Sequence, residues 1–158
     1  MVRSGKDPFK LPDLHFTRDA SESMALNRIR SGAMLIAGSG MCTGGRVRHH
    51  LRHNLAHGDC SVIFVGFAAE GTLARIIIDG AKSVKLFGEE IPVRARIHTI
   101  NGFSAHAGRS ELLDWHKRTG KPDITFLVHG EKKSMEGMAR ALKGGRTEMP
   151  RLHQSFEL

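Results

Sequence analysis

A chain of 158 residues and 17.4 kDa, with 40% hydrophobic and 25% charged residues, suits one soluble domain with its own core, or two half-modules that depend on a missing partner. Lys and Arg outnumber Asp and Glu by 24 to 16, giving a net charge of +8 and a pI near 10.1. That excess reads either as attraction to a polyanion through counterion displacement or as plain solubility charge. No apolar run reaches the ~20 residues of a bilayer span, and residues 1–10 lack the hydrophobic stretch of a secretion signal. Cys42 and Cys60 form no CxxC pair, so a reduced, cytoplasmic protein with no membrane partner is expected.

In chain order, residues 1–11 read as an irregular lead-in and Leu14–Phe16 as a short strand. Ser21 to Arg30 suits a helix capped by Ser21, with Met24, Leu26 and Ile29 as a partial apolar face. Ala33–Ala37 is a continuous apolar run, as in a strand buried on both faces. It leads into Gly38-Ser39-Gly40-Met41-Cys42-Thr43-Gly44-Gly45 and a helix from about Gly45 to Ala56, with Val47, Leu51 and Leu55 inward. Ser61–Gly66 reads as a second buried strand and Thr72–Asp79 as a helix closed by Gly80. Strands follow at Val84–Phe87 and Ile91–Ile100, the latter alternating as a half-exposed strand does. A helix at Arg109–Arg118, a buried strand at Ile124–Val128, a helix at Lys133–Leu142 and a strand near Leu152–Leu158 complete the chain. This alternation predicts an α/β fold with a mostly parallel sheet flanked by helices.

The strand, glycine turn and helix around Gly38–Gly45 suit an anion. Glycines let the backbone approach a ligand closely, and first-turn N–H groups point toward it. Ser39 and Thr43 add hydroxyl donors, and Arg46, Arg48 and Arg52 add positive charge along the helix. A turn that only packs strand against helix is the plainer alternative. The dinucleotide fingerprint fails because Thr43 stands where a glycine belongs, and a Walker loop fails because Arg46-Val47 follows Gly45. At Glu70-Gly71-Thr72, an ordinary cap by Thr72 is the favoured reading.

His106 follows a strand in a turn, and His129 ends a strand before a glycine. Side chains at such edges reach the crevice where α/β proteins bind ligands, and imidazole can bind zinc or donate a proton. A single histidine there is more often a hydrogen-bonded structural residue; two on adjacent edges narrow that difference without reversing it. His49, His50, His53 and His57 read as a solvated or RNA-facing helix surface, although His49 with His53, or His53 with His57, has chelating spacing.

Further blocks recur beside these: Ile36 to Cys42, Gly44-Gly45-Arg46 with His50-Leu51, Val65-Gly66-Phe67, Glu70-Gly71-Thr72, Gly80 and Val93-Arg94-Ala95. The last are Phe103-Ser104-Ala105-His106-Ala107 and Val128-His129-Gly130-Glu131. In this order they resemble the C-terminal part of the β-CASP branch of metallo-β-lactamase-fold RNA nucleases. The resemblance implies an end of a β-CASP module over 1–82. An RNA-specificity segment over 83–158 would return to complete a metallo-β-lactamase αββα core, the boundary falling as late as 103. It also implies catalytic assistance from His106, a zinc ligand at His129, and RNA-phosphate contacts from Ser39, Gly40 and Met41 of the Gly-Ser-Gly-Met loop. Pro150–Leu158 resembles the family's natural end, so a complete C-terminus is expected.

Two departures stand out. The family's His-x-His-x-Asp-His string is absent, and Gly108 replaces the usual Asp after Ser-Ala-His-Ala, removing an orienting partner for His106. The expectation is a fragment of a zinc-dependent ribonuclease, inactive and without zinc when alone, whose partners are RNA and the N-terminal metallo-β-lactamase half. Surface left bare by that half could also support a homo-oligomer. The alternatives are a non-catalytic RNA-binding module and a structural subunit of a nuclease complex.

Overall fold

The computed structural model describes residues 10–103 and 106–157. Most of the lead-in, and Ser104 and Ala105 of the Ser-Ala-His block, therefore lie outside the described residues.

Asp19, rather than Ser21, caps the first helix, α1 (Ala20–Ala25). Its carboxylate accepts from Glu22 N–H at 2.9 Å and from the Ser21 hydroxyl at 2.7 Å. A 3-10 turn over Leu26–Arg28 follows at once. Met24 and Ile29 point outward, and Ser23 is the buried residue of α1. Helix α2 (Val47–Asn54) keeps the expected inward spacing: Leu51 and Leu55 are buried and Val47 packs against them.

Strand β1 (Ser61–Val65) leads to α3 (Leu73–Ile78), where the Thr72 hydroxyl accepts from Arg75 N–H as a cap. Three consecutive isoleucines are poor helix formers. Burial of Ala74 and Ile77 overrides that preference here. A hairpin of β2 (Ser83–Leu86) and β3 (Glu89–Pro92) precedes β4 (Arg96–Ile100). The run Ile91–Ile100 is thus two strands, because Val93 and Ala95 donate backbone bonds back to Lys82 and Leu55 between them. Strands β1 and β4 pair in parallel from Ser61↔Arg96 to Val65↔Ile100.

The remaining elements are α4 (Arg109–Arg118), β5 (Ile124–Phe126), α5 (Lys132–Ala141) and β6 (Arg146–Glu148). Strands β5 and β6 are parallel, and β6 takes the place of the strand expected at 152–158. The fold is α/β, with two of its three two-stranded sheets parallel.

Ala33–Ala37 forms no strand, and Met34 and Ile36 are 80% and 86% exposed. Leu14–Phe16 is likewise not a strand. A buried parallel strand needs neighbours on both sides, and the described residues supply none. The same shortage explains β1, where Ile63 and Val65 face outward although the run looked buried on both faces.

One core, built around Leu55, Ile77 and Leu86, joins α2, β1, α3 and the hairpin. No described residue beyond Ala95 is fully buried. The chain exposes 12941 Å², whereas a compact protein of its mass exposes about 7,900 Å². Ile77→Ala is expected to lower stability by about 2–5 kcal/mol through cavity formation, and Trp115→Ala on exposed α4 by about 0.5 kcal/mol or less, as read from urea unfolding.

Candidate nucleic-acid interface

The glycine loop owes its shape to one close approach. Gly45 has φ +75°, and a Cβ there would lie 2.7 Å from the Gly38 carbonyl oxygen, so only glycine fits without a shift. Val47 N–H donates to that same carbonyl (3.4 Å) and Arg48 N–H to Gly45 (3.4 Å). The N–H groups of Val47 and Arg48 are thereby satisfied within the chain. Those of Ser39, Gly40, Thr43 and Gly44 have no partner among the described residues.

Met41 joins this loop to the second glycine turn: its carbonyl accepts from Ala74 N–H (3.2 Å) and its Sδ from Ala69 N–H (3.2 Å). Cys42 is buried beside it, and burial pushes its thiol pKa up, as for an unreactive core cysteine. Arg46 turns back, donating to the Thr17 carbonyl (3.0 Å), the Thr17 hydroxyl (3.3 Å) and the Arg18 carbonyl (2.9 Å). It anchors the segment before α1. Ser39 and Thr43 are exposed with their hydroxyls unengaged among the described residues.

The histidines of α2 divide by role. His50 contacts the Ser23 hydroxyl through Nε2 (3.0 Å) and Asn27 Oδ1 through Nδ1 (3.2 Å), and His53 Nε2 contacts the Asn27 carbonyl (3.0 Å). These two fasten α1 and its 3-10 turn to α2, a role not expected of a solvated surface. An Oδ1 acceptor requires Nδ1 to donate, leaving Nε2 to accept from Ser23; that is the neutral ring. Burial, and then the nearby charges of His49, His53 and Arg46, hold the His50 pKa below the usual 6.5. His49 instead stacks on Phe87, a residue the sequence pattern did not single out.

His106 occupies the exposed bend before α4, and His129 the exposed turn between β5 and α5, at φ +62°. They leave different sheets, since β4 pairs with β1 and β5 with β6, so they do not sit on adjacent strand edges. Gly108 caps α4, its N–H donating to Glu111 Oε2 (2.7 Å). Glu131 was also missed as a contact. Its Oε1 accepts from Glu70 N–H (2.9 Å), tying the His129 turn to the second glycine turn. Among the described residues no three His, Cys, Asp or Glu side chains converge on a point where a metal could sit.

Two family profiles match: the Beta-Casp domain over residues 2–77 and the Zn-dependent metallo-hydrolase RNA specificity domain over residues 90–150. The chain belongs to the β-CASP family of the metallo-β-lactamase fold. It is 41% identical over 149 residues to ribonuclease TTHA0252 of Thermus thermophilus, covering 93% of this chain and 34% of that protein. It is 32% identical over 148 residues to transcription termination factor FttA of Pyrococcus abyssi (90% and 23%). An RNase J-like protein of Methanocaldococcus jannaschii is 34% identical over 115 residues (73% and 26%). The chain spans about a third or less of the length of these relatives. No described helix is long and apolar enough to cross a membrane.

A His50 pKa below 6.5 means that the unfolded chain binds the extra proton between the folded value and 6.5. Stability therefore rises with pH through that window and is complete above it. His50→Gln is expected to lower the thermal midpoint more at pH 8 than at pH 5. An equal loss at both pH values would show that protonation of this ring is not coupled to folding.

Proposed function

We propose that this chain is the RNA-contacting part of a zinc-dependent ribonuclease. The reading assigns phosphate contacts to Ser39, Gly40, Met41, Thr43 and Arg46, a zinc-ligand role to His129, and assistance at the scissile phosphate to His106. The single observation that carries it is the Gly38–Gly45 loop. The N–H groups of Ser39, Gly40, Thr43 and Gly44 have no partner among the described residues and lie at the head of a cationic helix, which suits a phosphodiester backbone. A relative named as a ribonuclease supports the substrate class. The left-handed backbone at His129 fits a functional position, because a non-glycine residue is held there only by its surroundings. Gly108 leaves His106 without the carboxylate usual in the family, which makes His106 the weaker member of the pair.

His129 needs further ligands from outside this chain, so the N-terminal metallo-β-lactamase half is the required partner and hydrolysis is not a property of these residues alone. The excess of exposed surface, and the outward Ile63, Val65 and Ile100 of the β1–β4 sheet, favour this over an independent RNA-binding module.

Affinity for single-stranded RNA is expected to fall steeply between 50 and 200 mM salt (roughly the range over which phosphate contacts weaken). Arg46→Gln with Arg48→Gln is expected to flatten the salt slope by about two, as read by fluorescence anisotropy. Salt-independent binding would overturn the loop's role. The purified chain is expected to hold no stoichiometric zinc and to cleave no RNA. Tight zinc, measured by elemental analysis and lost on His129→Ala, would show that the site is complete without the other half.

A further inference from the structure

The hairpin tip carries an aromatic residue where turn chemistry disfavours one. Phe87 and Gly88 connect β2 to β3 with φ +50° and +85°. Two-residue turns of this kind take Asn-Gly because both positions need the left-handed region, and a bulky side chain there is strained. Burial does not account for it, since Phe87 is 45% exposed. Its ring instead meets the first turn of α2. The exposed His49 imidazole stacks on it at 4.5 Å between centroids and 27° between planes, and the Arg48 guanidinium carbon lies 4.8 Å from its centroid. Arg48 Nε is buried without a hydrogen-bond partner. The first turn of α2 holds no acidic residue, so Arg46 and Arg48 oppose the positive end of the helix dipole. An anionic strand lying along this turn would relieve that opposition.

We propose that the His49–Phe87 stack, with Arg48 beside it, is a nucleobase-stacking platform that makes the adjoining phosphate loop select single-stranded RNA. This rests on the reading of Gly38–Gly45 as an RNA-phosphate contact. His49 stands about 4.5 Å of helix rise beyond Arg46, so a strand held at the loop brings a base within the platform's reach. An unpaired base extends the stack over the exposed imidazole, and every base has a face that can do so. A duplex keeps its bases stacked internally and cannot.

The test compares binding of the chain to a short single-stranded oligoribonucleotide, to a base-free sugar-phosphate strand of equal length, and to the matching duplex. The base-bearing strand is expected to bind about fivefold to tenfold more tightly than the base-free one, and more tightly than the duplex. Phe87→Leu and His49→Gln are each expected to bring the first ratio close to one, whereas Phe87→Tyr preserves it. His49→Gln leaves the hairpin sequence intact, so the test survives if Phe87→Leu misfolds. Equal wild-type affinity for the two single strands, or a ratio unmoved in both variants, overturns the platform and leaves the loop reading standing. Binding of none of the three overturns both.

Discussion

Leu55 ends α2 with its side chain fully buried, and its carbonyl accepts the N–H groups of both Arg94 and Ala95, at 2.9 and 3.0 Å. That double acceptance sets where β4 begins, and β4 is the parallel partner of β1. The other end of the same short helix closes the glycine loop through Val47 and Gly38. One apolar anchor therefore aligns the sheet with the loop. Ile77 and Leu86 are fully buried in the same core, with α3 and the hairpin.

Beyond that core burial thins out. Elements α4, β5, α5 and β6 have amphipathic faces and no fully buried residue. Two-stranded sheets are marginal without further strands or a covering layer, and an apolar face that meets no partner layer stays exposed. The two families of contact follow this division. The glycine loop belongs to the part with a core, and His106 and His129 belong to the part without one. Glu131 joins the two by accepting from the Glu70 N–H.

Much of the local shape of the candidate site is legible in the sequence. The loop, the α2 spacing and the cap at Thr72 depend on contacts within a few residues, which local sequence encodes directly. Phe87, Asn27, Ser23 and Glu131 were not legible, because each acts on a segment remote in the chain. Ser23 and Asn27 meet His50 across more than twenty intervening positions, and Glu131 meets Glu70 across some sixty. The one local clue was Phe-Gly at a hairpin turn, where Asn-Gly is the easier choice.

By itself the sequence determined the α/β alternation, the glycine turn and the family, since periodicity, turn chemistry and ordered motifs are properties of short stretches. Tertiary structure decided which apolar runs become strands and which cations are free. Ala33–Ala37 has the composition of a buried strand yet stays exposed, because a strand exists only when a neighbour takes its backbone groups. Arg46 has the charge of a phosphate ligand, yet its guanidinium is turned back onto the chain before α1. The reason is the same in both cases: an unpaired polar group takes whichever partner the fold brings near.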